Sequence, residues 1–365
     1  MRNSRGLRLG TIGGVPLFLT PGWALVAVIL ILLFGPTVQR ALGIGLLPAA
    51  VLAAAIPVLL ALSVLLHELA HGLMAQRFRV QVREYVLSLW GGHTAFGSEI
   101  DRPGASALIS LAGPLTNLVL AGIFWYFAQD SDGPALALIL FAVAITNGFV
   151  AVFNLLPALP MDGGRLLEAL VWRVSGDRDL GTLIAGRCGQ VIAVVVALGS
   201  IGYSAQTLAW MTGIWGVLIG LTLWRGATVA VRAAHARRAV RDVDLGAWAI
   251  PVTVLAYDAS VAALHRQATP GSLVLLSGQD NVPSAWVQPK AVAAVPAAEQ
   301  HQTPLSAVAV PLPEQALLNQ HTGAGAVAQL AQAARAGARY AVLVGLDRQA
   351  LAVVDIVDAG RRLPR

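Results

Sequence analysis

Residues 64–74 read VLLHELAHGLM, and the run that leads into them, from Ala41 to Leu66, carries no charged residue. A stretch of that length is long enough to cross a bilayer, where ionisable side chains are costly and mark functional positions. His67 and His71 are four residues apart, so on a helix both imidazoles lie on one face, one turn apart. Both rings can then reach a single metal ion while Glu68, beside them, polarises a bound water, which is the H-E-x-x-H arrangement of zinc hydrolases. The plainer alternative is a histidine pair that hydrogen-bonds between helices with Glu68 as its partner.

The composition agrees with a membrane setting. Of 365 residues, 56% are hydrophobic and only 12% charged, about half of the roughly 25% usual in soluble domains. The net charge of +6 comes from arginines beside apolar segments, and no basic, aromatic-laced soluble surface argues for nucleic acid. Cys188 is the single cysteine, so no intramolecular disulfide can form and a metal site must use nitrogen and oxygen ligands. The basic start MRNSRGLRLG and the apolar stretch after it also allow a signal peptide, but the stretch is span-length and no small-x-small cleavage site clearly follows.

Apolar windows predict six spans, near 16–34, 47–76, 107–128, 134–156, 188–203 and 207–224. Arginine is distributed unevenly around them. Arg2, Arg5 and Arg8, then Arg77, Arg79, Arg83 and Arg102, then Arg165 to Arg187, and finally Arg225 onward fall on one side, against Arg40 alone on the other. That asymmetry predicts cytoplasmic amino and carboxyl termini in a multi-pass cell-membrane protein.

Two histidines leave a catalytic metal site one protein ligand short. With both termini inside, the second and fourth spans run in the same direction, and the fourth ends in FNLLPALPMDGGR (153–165). Asp162 therefore lies at a depth comparable to His67 and His71. Pro157 and Pro160 break the helix and Gly163 with Gly164 let the backbone turn away, an irregularity tolerated at membrane depth only where it is buried or faces a water-filled cavity. A simple exit turn opened by an aspartate is the competing reading of the same residues. In SLAGPLTN (110–117), Gly113 permits close helix approach, Pro114 loosens the helix and Asn117 offers an amide inside a span, a helix-packing role shared by Asn147. His93 reads as a loop histidine.

HELAH within a span, SLAGPLTN and NLLPALPMDGG (154–164) together resemble the three motifs of site-2 proteases, the intramembrane zinc metalloproteases, over about residues 1–230. The resemblance implies one Zn²⁺ per chain on His67, His71 and Asp162, with Glu68 as general base and Asn154 contacting substrate backbone. It also implies that the alternating stretch VQVREYVLSLWGGHTAF (80–96) holds an extended substrate by strand addition, with Gly91 and Gly92 as candidate substrate contacts. Substrates would be single-span membrane proteins such as anti-sigma factors, cut in regulated intramembrane proteolysis. A metal-binding transporter or sensor is the alternative function on the same ligands.

From about Val240 long apolar runs stop and strand-like alternation begins. SVAALHRQATPGSLVLLSGQDN (260–281) and GAVAQLAQAARAGARYAVLVGLDR (325–348) repeat a short amphipathic helix followed by an apolar strand. This tandem resembles a cystathionine-β-synthase (CBS) domain pair, which implies a regulatory or dimerising role. Nucleotide-binding members carry Ser/Thr three residues before an Asp after the final strand. Here Asp355 takes the Ser/Thr place before Asp358, and SAWVQPKAV (284–292) has no such Asp, which speaks against a nucleotide. The expected architecture is thus a polytopic α-helical membrane protein of about six transmembrane helices, with a protease core over 1–235 and a small cytoplasmic α/β domain resembling a CBS pair over 240–365.

Overall fold

The chain opens on a hairpin. In the computed structural model, which describes residues 6–363 except 89, 90 and 279, β1 (Leu7–Ile12) turns through Gly13 and Gly14 into β2 (Val15–Leu19). Both glycines have positive φ, 59° and 81°, the backbone that a two-residue hairpin turn requires. Arg2 and Arg5 of the basic amino terminus lie outside the described residues.

The first expected span therefore starts too early. Val15 and Leu17 point inward, at 7% exposure each, onto Trp23, Leu60, Val64 and Tyr85. That is strand alternation, hidden in the sequence because every residue of VPLFL is apolar. The first long helix, α1, runs Gly22–Leu42. Next come α2 (Leu46–Ala53) and α3 (Ala55–Arg77), two parts of one apolar segment interrupted at Ala54. Pro57 supplies the reason, because it has no N–H for the carbonyl of Ala53 and its ring crowds that carbonyl.

Two strands follow, β3 (Val82–Ser88) and β4 (Gly91–Phe96), and the four form a sheet in the order β1-β2-β3-β4. Strands β2 and β3 are parallel and β3 and β4 antiparallel, so β4 is an edge strand. The remaining helices of this unit are α4 (Pro103–Gln129), α5 (Pro134–Asn154), α6 (Asp162–Ser175), α7 (Arg178–Thr207) and α8 (Trp210–Arg241).

Among the described residues, six helical segments are long and apolar enough to cross a membrane, α2 and α3 counting as one. Their outward faces carry exposed Leu32, Leu47, Val58, Val152 and Val195, as expected of side chains facing lipid. The chain is a multi-pass membrane protein. The last two helices exceed their expected limits for local reasons. The Asp177 carboxylate caps α7 by accepting from the N–H groups of Asp179 and Leu180, so the helix begins ten residues before its apolar run. Helix α8 continues into RAAHARRAVR, rich in strong helix formers that no hydropathy window selects. Gly216 of α8 leaves no room for a side chain against Ser200 of α7, and Gly220 none against Ala193, a close small-residue crossing.

Residues from His235 onward form a second compact unit. Here β5 (Val252–Ala256), α9 (Val261–Gln267), β6 (Leu273–Ser277) and β7 (Pro283–Val287) are followed by α10 (Pro289–Ala293) and β8 (Ala309–Pro311). The second half repeats the plan with β9 (Leu317–Leu318), α11 (Gly323–Arg335), β10 (Tyr340–Val344), β11 (Ala350–Asp355) and α12 (Ile356–Arg362). In each half two parallel strands are bridged by a helix and an antiparallel strand follows. The two sheets share a core of Leu275, Val342, Val344 and Val353.

Candidate metal centre

Helix α3 presents His67 and His71 one turn apart, both buried, with ring centroids 4.7 Å apart. Their Nε2 atoms are 3.0 Å from each other and 3.3 and 3.2 Å from Oδ2 of Asp162, the first residue of α6. The three atoms form a nearly equilateral triangle. Ligand atoms about 2.0–2.1 Å from a tetrahedral ion stand about 3.3 Å apart, so this triangle is one face of such a site.

The opposite edges of the two rings explain why Nε2 is free to bind. Nδ1 of His71 lies 2.6 Å from the carbonyl oxygen of Ile109, which can only accept, so Nδ1 carries the proton. Nδ1 of His67 faces Oδ1 of Asn117 in the same manner. As neutral rings, both histidines then turn a lone pair toward a carboxylate oxygen. With both rings neutral, three acceptor atoms converge in a buried site, the arrangement that a bound cation would satisfy.

Gly113 on α4 makes the approach possible. Any side chain there would run into Nε2 of both imidazoles. Gly163 and Gly164 do not turn the chain away from the site, as their sequence suggests. They lie in the first turn of α6, where a Cβ would strike the backbone at Leu155 or Leu159. Their role is close approach: they let the helix start directly beneath the 155–161 loop and present Asp162 from its first position.

Glu68 is 4% exposed and faces the same cavity, of about 580 Å³, which Gly91, Gly92, Asn154 and Asp162 also border. Its Oε2 accepts from the Thr94 hydroxyl at 2.7 Å. Gly92 provides the space, since a Cβ there would overlap the Glu68 carboxyl. His93, expected in a loop, lies on β4 opposite Val86 and outside the metal-ligand cluster. Leu89 and Trp90, which connect β3 to β4, are outside the described residues. Asn117 and Asn147, expected as helix-packing amides, do join helices, but Asn117 also contacts His67 of the candidate metal-binding cluster. Thr94 carries no signal of its role in the sequence, and the close approach at Gly113 and the intramembrane amide of Asn117 could be read there but not the histidines they meet, which another element brings opposite.

The model of peptidase family M50 matches residues 55–133 and 129–198, the stretch that holds both histidines, Glu68, Asn117 and Asp162. That stretch is similar to peptidase family M50. The chain is 30% identical over 236 residues to sll0528 of Synechocystis and 39% identical over 175 residues to Rip3 of Mycobacterium tuberculosis, both provisionally named zinc metalloproteases. These matches cover 64% and 47% of this chain, and the chain spans only 62% and 44% of the length of the two relatives. Among solved structures it is similar to the site-2 protease of Methanocaldococcus jannaschii, with 25% identity, a TM-score of 0.46, and coverage of 62% of this chain and 95% of that one. The M50 stretch includes α3 to α5, α6 and much of α7, so every residue of the triangle lies inside it.

Proposed function

We propose that this chain is an intramembrane zinc metalloprotease that hydrolyses peptide bonds within or near the membrane-spanning segment of single-span proteins. The observation that carries the reading is the triangle of His67, His71 and Asp162 with a Glu68 carboxylate on the same helix and in the same cavity. The donor set, two imidazole nitrogens and one carboxylate oxygen, fits zinc with a fourth position left for water or substrate. When bound, zinc supplies Lewis acidity, lowering the pKa of a water within its reach toward about 7 and drawing charge from the scissile carbonyl oxygen.

The residues of the chain supply the rest. Glu68 takes the proton of the attacking water and delivers it to the leaving amide nitrogen, and Thr94 keeps the carboxylate aimed into the cavity. Edge strand β4 offers unpaired backbone groups to an extended substrate segment, with Gly91 and Gly92 allowing it to pass close to Glu68. Asn154, at the end of α5, offers its amide to the substrate backbone from the other border of the cavity. The arginine asymmetry supports a cytoplasmic location for both chain ends, and with them for the second unit. That unit is read as a CBS-like regulatory pair, able to dimerise. Asp355 is engaged in capping α12 and in an ion pair with Arg339, which leaves it little to offer a ribose.

The test is cleavage of a co-expressed single-span substrate by wild type, Glu68→Gln and His67→Ala. Loss of cleavage in Glu68→Gln with zinc content retained is the expected result. Unchanged cleavage in Glu68→Gln would sink the protease reading and leave a metal-binding transporter or sensor on the same three ligands.

A further inference from the structure

Behind His67 runs a chain of buried polar groups that the proposed reaction does not use. It starts at Ser63 on α3, passes to Asn147 on α5 and Asn117 on α4, and ends at His67. Asn117 and Asn147 are 0% exposed and Ser63 2%, so three membrane-spanning helices meet around groups that no water reaches. We propose that Asn117 is a positioning residue for the metal centre, the last member of a hydrogen-bond relay that fixes which nitrogen of His67 carries the proton. The proposal rests on the reading of His67 as a metal ligand.

The direction of the relay is set by two backbone carbonyls, which can only accept. The Ser63 hydroxyl donates to the carbonyl of Leu59 at 2.9 Å, which leaves its oxygen free to accept. Asn147 Nδ2 donates both to that oxygen, at 3.1 Å, and to the carbonyl of Val143, at 2.9 Å. The Asn147 amide can therefore have only one orientation, with Oδ1 toward Asn117. Asn117 Nδ2 donates to it at 2.8 Å, which turns Asn117 Oδ1 toward His67. Facing an acceptor, Nδ1 is the nitrogen that carries the proton of a neutral His67, which makes Nε2 the lone-pair nitrogen toward His71 and Asp162. Flipping either amide would set N–H against N–H, or a carbonyl against a carbonyl, in a dry interior.

Helix packing alone would not require this order. A packing amide can point either way, whereas here every donor and acceptor falls in a sequence that ends with the metal-binding nitrogen bare. Partners of this kind fix the ring orientation and tautomer of histidine ligands, and their loss typically lowers metal affinity about 10–100-fold.

The experiment measures zinc affinity by chelator competition, together with the visible spectrum of the Co²⁺-loaded protein, in wild type, Asn117→Leu and Asn117→Asp of the full chain. Metal-free thermal unfolding is measured in parallel. The relay predicts that Asn117→Leu loses about 10–100-fold in zinc affinity with an altered Co²⁺ spectrum. It also predicts that Asn117→Asp, which keeps an acceptor for Nδ1, stays within a few-fold of wild type. A packing role predicts the reverse order, because a carboxylate in the helix interface is the worse fit. Should Asn117→Leu fail to fold, Asn117→Asp decides alone: a wild-type spectrum supports the relay, and a tenfold or greater loss overturns it. If wild type holds zinc and Asn117→Leu holds it as tightly, the relay fails and the metal centre stands. If wild type itself holds no zinc, the metal centre fails first.

Discussion

Glu68 and the two histidines beside it were legible in the sequence, because ionisable groups so spaced in an uncharged run are too costly at membrane depth unless a metal or an ion partner engages them. What holds them was not. Thr94 is an ordinary threonine until β4 sets its hydroxyl 2.7 Å from Glu68 Oε2. Thr94→Val should reduce cleavage of a co-expressed substrate by about tenfold, a fraction of what general-base catalysis contributes, while metal analysis finds zinc unchanged. Gly113 shows the same dependence on context. Gly113→Ala puts a methyl group onto Nε2 of both histidines and should abolish zinc binding. Gly122→Ala on the same helix meets nothing within 4 Å and should leave the metal content as it is. Equal zinc in these two variants would overturn the geometry of the site.

The elements follow the same division. Six spans could be read because each holds about twenty apolar residues, the thickness of the bilayer core. Their ends could not, because α7 begins at a charged cap and α8 ends in arginines, where hydropathy is silent. The β1–β2 hairpin was absorbed into the first span, since an all-apolar strand lacks the alternation that reveals it. In the second unit, α12 depends on a visible residue with an unpredicted task. Asp355 accepts from the N–H groups of Val357 and Asp358 and pairs with Arg339 at 3.0 Å. Partial burial pushes the Asp355 carboxyl up, yet the Asp358 N–H, the Arg339 guanidinium and the Val357 N–H together hold it below its ordinary value. A carboxyl lowered in the folded state stabilises it above the unfolded value of about 3.9, and the contribution is lost as pH falls through the folded one. Asp355→Ala should therefore loosen α12 by about 1 kcal/mol at neutral pH. Hydrogen exchange at the Val357 and Asp358 amides would register the change, and the difference from wild type should shrink in acid. Equal protection in the two proteins at pH 7 would refute the cap.

For the whole molecule, removal of residues 245–365 tests how the two units divide the work. Metal ligands, Glu68 and cavity all lie before residue 235, so the truncated protein should keep its zinc and still cleave a substrate, with altered regulation. Loss of zinc on truncation, measured by metal analysis in membranes, would show that the site depends on the second unit. Apolar run lengths and the H-E-x-x-H spacing were enough to read a multi-pass membrane protein, and the direction of the spans pointed to Asp162 as the candidate third ligand. Those conclusions rest on local quantities: the length of an apolar run, a four-residue spacing, the side on which arginines fall. That Asn117, Gly113, Thr94 and Gly92 lie against His67, His71 and Glu68 came out only in the folded chain. Asn117 acts through a residue 50 positions away and Thr94 through one 26 positions away. Gly113 and Gly92 likewise make room for side chains of a different element. Helix crossing and strand register select those faces, and no local pattern encodes them.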